Sequence, residues 1–135
     1  MAPIPAGPDY YQFAEPAEAA AALKRDFGLD RPRLAIAGLN PHAGEGGLFG
    51  KEEIEFIKPA IEAAAMLGIN VSGPFGADTM FQKHDIDAFI VMLHDQGHIA
   101  AKLLAPHATI ALTIGTPILF SSVAHGRAQI GRAHV

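Results

Sequence analysis

With seven histidines and no cysteine in 135 residues, the chain's reactive side chains are imidazoles, carboxylates and amines. Two histidines stand out by context. His42 lies in "LNPHAGEGGLFG" and His94 in "VMLHDQGHIAAK", each just after a short apolar run and close to acids, Glu45 in one case and Asp95 in the other. Asp78, in "GADTM", follows a third such run. Neutral imidazole with carboxylate oxygen suits a divalent ion such as Zn, Mn or Mg acting as a Lewis acid. A histidine in a loop is also, more simply, a polar loop residue, and the residues alone leave both readings open. Lys102 comes about two helical turns after His94 and could turn back to hold a carboxylate or phosphate. An ordinary solvated lysine is the plain alternative. His84 and His107 have no such context and are expected at the surface.

The elements that must carry these residues can be read from pattern. "PAEAAAALKRDF" (16–27) predicts a helix, with Pro16 in its first turn and Gly28 as its stop. "RLAIAG" (33–38) is a short apolar run and predicts a buried strand. The glycine-rich stretch 39–50 fits neither regular structure and is expected to be a loop. A helix is expected over Lys51–Leu67, with Glu52 and Glu53 in the favourable first turn and Pro59 kinking or splitting it. Strands are expected at 69–79 (running into a loop), 87–93 and 109–115, with a short helix over 96–105. Alternating strands and helices predict an α/β fold with a largely parallel sheet. Ligands of such sheets bind beyond the carboxyl ends of the strands. His42, Asp78 and His94 follow three of these ends, so one crevice could collect them.

The glycine-rich loop invites comparison with phosphate-binding loops, and the spacing rejects the common ones. Glu45 stands where a Walker A loop needs its first glycine, Glu52 follows Lys51 where Ser or Thr is required, and Phe49 occupies the sixth position of a would-be dinucleotide fingerprint. No H-E-x-x-H pair is present, which weakens a metal-hydrolase reading. Half the residues are hydrophobic and 18% are charged, as expected of a packed domain. A formal charge of −4 offers no basic field for nucleic acid. No apolar run approaches the ~20 residues of a membrane span, and no secretory signal is visible. The absence of cysteine fits a reducing compartment, and a cytoplasmic location is expected.

Four blocks follow in order: "GLNPHAGEGGLFG" (38–50), "GPFGADTMF" (73–81), "HDQGHIAAK" (94–102) and "LTIGTPILFSSVAHG" (112–126). Over roughly residues 17–128 the chain resembles the C-terminal part of the 4-hydroxythreonine-4-phosphate dehydrogenase family. The resemblance implies a three-layer α/β/α fold with a mostly parallel sheet, related to isocitrate and isopropylmalate dehydrogenases and here truncated at both ends. It implies an NAD-dependent oxidoreductase acting on CH–OH groups, with decarboxylation. A divalent metal (Zn, Mn, Mg or Co) is expected between the subunits of a homodimer. His42 and His94 match two of the family's three metal histidines, the third lying in a segment upstream of the matched part. Asp78 matches an acid near the metal, and Lys102 a substrate-binding lysine that also serves the chemistry. His125 and Gly126 match the start of the cofactor-binding segment. Asp95 and Gln96 are then expected to orient the His94 ring.

One departure bears on substrate. Members that act on phosphorylated substrates carry Asn and Arg where this chain has Ala111 and Phe120. Replacing an Arg suited to phosphate by an aromatic ring implies a hydroxy acid without phosphate. The wording of the last blocks is closer to the terephthalate dihydrodiol dehydrogenase-like relatives, so a cis-dihydrodiol carboxylate is the expected substrate class, with Phe120 in its pocket. The expected organisation is an irregular arm over 1–14, a partial catalytic domain over 15–129, and a non-native tail over 130–135. That tail can be encoded by ATC GGA AGA GCA CAC GTC, which resembles a sequencing-adapter oligonucleotide. The rival expectation is a catalytically inactive half-subunit that keeps only part of the metal and substrate site.

Overall fold

Strand β1, Leu34–Ala37, is buried along its whole length, and the rest of the domain is arranged by which of its faces it covers. The structure is a computed structural model and describes residues 16–105, 108–113 and 120–123. Alternation along a strand sends Leu34 and Ile36 to one side and Ala35 and Ala37 to the other. The first side is covered by helix α2, Lys58–Met66, through Ile57 just before it and Ile61 within it, with Val71, Ile90 and Met92 alongside. Burying each isoleucine is worth roughly 1.5–3 kcal/mol. The second side, with its two alanines, admits Met80, which is fully buried and flanked by Phe75, Phe81, Ile86 and Phe89.

Strands β2, Val71–Phe75, and β3, Ala88–Ile90, both pair with β1 in parallel, giving the order β2-β1-β3. Between Ala35↔Ser72 and Ala37↔Phe75 the β2 chain carries one extra residue, a bulge at the cis Gly73–Pro74 peptide. Gly73 is required there: its φ is +136°, and a Cβ would come within 2.6 Å of the Ile36 carbonyl oxygen. Because the three strands are parallel, their carboxyl ends share one edge of the sheet. At the opposite edge Arg33 and Asp87 join β1 to β3 by a 2.9 Å ion pair, and the Arg33 N–H donates to the Asp87 carboxylate at 2.8 Å.

Helix α1 spans Pro16–Phe27 as the sequence predicts, and Gly28 ends it at φ +70°. Pro59 does disturb its helix, in a specific way. Residues Glu53–Ile57 form a wider π turn in which the Lys58 N–H reaches back five residues to Glu53. That register gives room for a proline ring that would strike the carbonyl four residues earlier.

Two expectations need correction. The apolar run 87–93 gives a strand only over Ala88–Ile90, and the next helix, α3, starts at His94 rather than Gln96 and runs to Leu104. His94 is therefore the first residue of a helix, not the tip of a strand. The run at 109–115 does not join the parallel sheet: β4, Ile110–Thr113, pairs antiparallel with β5, Phe120–Val123, in a separate ribbon. One face of the parallel sheet carries α2, whereas the other is closed by the segment around Met80, which α3 approaches at Gly97 beside Val91. No described helix is long and apolar enough to cross a membrane.

Candidate functional site

The loop after β1 is not a slack connection. His42, Ala43, Gly44, Glu45 and Gly46 all have positive φ, between +43° and +79°, making a left-handed turn. Three of the five are not glycine, and each such residue costs on the order of 1–2 kcal/mol. Strain of this kind persists only where surrounding contacts determine it. Here they come from Glu53, a carboxylate 1% exposed. Its oxygens accept the Asn40 backbone N–H at 2.7 Å and the Asn40 Nδ2 at 2.9 Å, while Glu52 accepts the same Nδ2 at 2.6 Å. Burial disfavours the Glu53 charge. The donors of Asn40, with backbone amides of Glu53 and Leu39, outweigh it and hold the pKa below the ordinary glutamate value. The Asn40 hydrogen bond lowers Glu52 as well.

This turn leaves the His42 side chain exposed, its ring centroid 5.9 Å from that of Phe49. The turn after β2 lies next to it. Thr79 and Met80 N–H groups both donate to the Gly76 carbonyl, and a Cβ on Gly76 would sit 2.7 Å from an Asp78 carboxylate oxygen and 3.8 Å from the His42 Cα. Asp78 and His42 thus belong to adjoining turns.

The third strand end is tied to the first by Gln96. Its Nε2 donates to the Gly38 carbonyl at 2.9 Å, across 58 residues of sequence. Its Oε1 accepts the N–H groups of Met92 and Leu93 at 2.8 and 2.9 Å, satisfying donors that precede the first turn of α3. Gln96 therefore fixes backbone, not the His94 ring as expected. Ring orientation falls to Asp95, whose carboxylate lies 2.9 Å from His94 Nδ1, and to His98, whose ring stacks on His94 at 3.9 Å and 12°. A proton held on Nδ1 leaves Nε2 as the coordinating nitrogen. Desolvation, then the charges of His94 and Lys102, push the His98 pKa below its usual value. His94, His98 and Lys102 follow at i, i+4 and i+8 on one side of α3, and all three are exposed.

His42, Asp78 and His94 are thus carried by turns at one edge of the sheet. Among the described residues no three His, Asp or Glu side chains converge on a metal position. The donors present, two exposed imidazoles and a carboxylate in the turn beside one of them, are of types suited to a divalent ion. His84 is exposed, as expected. Ladder pairs Ala111↔Ser122 and Thr113↔Phe120 put positions 111 and 120 on one two-stranded ribbon, two steps apart. His107, His125, Gly126, the 1–14 arm and the 130–135 tail lie outside the described residues. Sequence reasoning missed Glu53, Asn40 and His98. The spacing of His98 from His94 and Lys102 was a visible signal, and so was Asn40 beside Gly38.

Comparison with known proteins follows the same residues. A 4-hydroxythreonine-4-phosphate dehydrogenase of Desulforapulum autotrophicum is 50% identical over 109 residues, covering 78% of this chain and 32% of the relative. A 1,2-dihydroxy-3,5-cyclohexadiene-1,4-dicarboxylate dehydrogenase of Comamonas is 48% identical over 103 residues, covering 76% and 33%. The crystal structure of 4-hydroxythreonine-4-phosphate dehydrogenase from Klebsiella pneumoniae superposes with a TM-score of 0.71 at 44% identity, over 79% of this chain and 33% of that one. The chain thus spans about a third of the length of these relatives. The family model described as pyridoxal phosphate biosynthetic protein PdxA matches residues 15–129, and the chain belongs to that family.

Proposed function

We propose that the chain is part of an NAD-dependent, divalent-metal-dependent dehydrogenase that oxidises a hydroxy acid and releases carbon dioxide. The observation that carries this reading is that His42, Asp78 and His94 all follow the carboxyl ends of strands in one parallel sheet. Names of the relatives, all dehydrogenases, support it. The complete subunit would have the three-layer architecture of isocitrate and isopropylmalate dehydrogenases and would work as a homodimer in the cytoplasm, with the metal near the subunit boundary.

His42 and His94 would hold the metal through neutral imidazole nitrogens, with Asp95 keeping the His94 proton on Nδ1. A bound divalent ion would supply Lewis-acid polarisation of the substrate hydroxyl, and NAD would supply the hydride acceptor. Lys102, exposed and about two turns along α3, would grip the substrate carboxylate and then give a proton to the enolate left when carbon dioxide departs. Asp78 would take the hydroxyl proton. His125 and Gly126 would lie along the cofactor. Ala111 and Phe120, standing where phosphate-handling members carry Asn and Arg, favour a substrate without phosphate, such as a cis-dihydrodiol carboxylate. The name of the Comamonas relative supports that substrate class.

Calorimetric titration of the 135-residue chain with Zn²⁺ and Mn²⁺, beside His42→Ala and His94→Ala, tests the metal reading. Binding that disappears in both variants is expected; equal binding in either variant sinks that ligand's assignment. A chain extended to the relatives' length should reduce NAD with a cis-dihydrodiol carboxylate and not with 4-hydroxythreonine 4-phosphate. The reverse preference would overturn the substrate assignment.

A further inference from the structure

Glu53 is an almost fully buried charge that the proposed chemistry does not use, and the residues around it leave it room. A Cβ on Gly38 would lie 2.9 Å from one of its carboxylate oxygens, and a Cβ on Gly44 would lie 2.6 Å from the other. Gly50 does the same for the neighbouring pair: a Cβ there would overlap the Asn40 amide and come to 2.6 Å from Glu52 Oε2. The glycines at 38, 44 and 50 thus leave space beside carboxylates of the protein itself, Gly38 also for the Ala43 backbone.

Backbone bonds run within the turn and at its exit, where Leu48 N–H donates to the Glu45 carbonyl at 3.4 Å. Ala43 N–H donates to the Asn40 carbonyl at 3.1 Å and Phe49 N–H to the Gly44 carbonyl at 3.1 Å. The entry residue, Asn40, is gripped from outside by Glu53 through both its backbone and its side-chain N–H. Two carboxylate oxygens facing two donors is a match an amide cannot reproduce, because one of its two atoms carries N–H.

We propose that Glu53, acting through Asn40, is the positioning residue of the left-handed turn 42–46 and so fixes where the His42 imidazole is presented. The clamp is read from geometry alone. Its consequence for metal affinity rests on the reading of His42 as a ligand.

The test compares Glu53→Gln, the milder Asn40→Ala and, as a control at the far edge of the sheet, Asp87→Asn. Backbone ³J couplings of residues 42–46 report the left-handed φ values, and zinc titration reports the His42 site. Glu53→Gln and Asn40→Ala should shift the couplings of 42–46 toward averaged values and weaken zinc binding by roughly 10-fold or more. Asp87→Asn should do neither. The clamp is refuted if folded Glu53→Gln and Asn40→Ala keep the parent couplings. It is refuted equally if Asp87→Asn disturbs the same residues as much. A parent chain that binds no zinc would sink the ligand reading of His42, while the couplings would still decide the clamp.

Discussion

The two histidines of the candidate site are positioned in opposite ways. His42 sits on a strained turn whose support is internal: a buried strand, a carboxylate 1% exposed, and glycines that admit it. His94 opens a helix that buries none of its side chains and leaves Ile99, Leu103 and Leu104 between 58% and 77% exposed. Side-chain contacts therefore determine the first site from several directions, whereas the second is held by Gln96, Asp95 and His98 near one end of α3. Rigidity at a site comes from how many independent contacts a displacement must break, and here the two halves differ on that count.

Deleting the clamp should give the largest effect. Glu53→Ala leaves the partly buried Asn40 backbone N–H without its acceptor and removes a second bond to its side chain, which together cost about 2–3 kcal/mol. Urea unfolding should show that loss, and an unchanged midpoint would mean the clamp contributes nothing. Gln96→Ala should be milder, about 1–2 kcal/mol, because the Met92 and Leu93 donors can reach water while α3 loosens from Gly38. Its sharper signature is faster amide exchange in the first turn of α3 with residues 42–46 unaffected. Loosening of both regions together would erase the distinction drawn here.

The smallest expected effect belongs to the far edge of β1. The Arg33 guanidinium, helped by the Arg33 backbone N–H, lowers the Asp87 pKa to about 2. A depressed carboxylate contributes stability that is complete above its ordinary value, about 3.9, and is lost as pH falls through its folded value. Stability should therefore decline between about pH 4 and pH 2, and Asp87→Asn should flatten that part of the acid-unfolding profile. The pair is partly exposed, so added salt should shrink the difference. A profile with the same slope in both proteins would remove Asp87 as the source.

Much of the framework was legible. The apolar run at 33–38 and the helix at 16–27 appear within a residue of their expected limits, because apolar runs, proline and glycine act locally. Pro59 announced a disturbance, but only the structure shows that it is absorbed as a π turn. Glu53 looked like an ordinary acid favouring a helix start. The rotation of that turn brings it inside, against Asn40 thirteen residues earlier. Residues 110–113 read as one more strand of the parallel sheet, since strand propensity does not name a partner, and pairing sent them to an antiparallel ribbon.

By itself, then, the order of residues determined most element types, the family blocks and the two histidines and acid that follow strands, because periodicity and motif spacing are written within short windows. Only the tertiary structure decided that Asp78 adjoins His42, that Gln96 links α3 to β1 and that a buried carboxylate holds the left-handed turn. Those contacts join segments up to 58 residues apart. They follow from which burial and which donor–acceptor matches the packed chain can satisfy at once, and no local window contains that information.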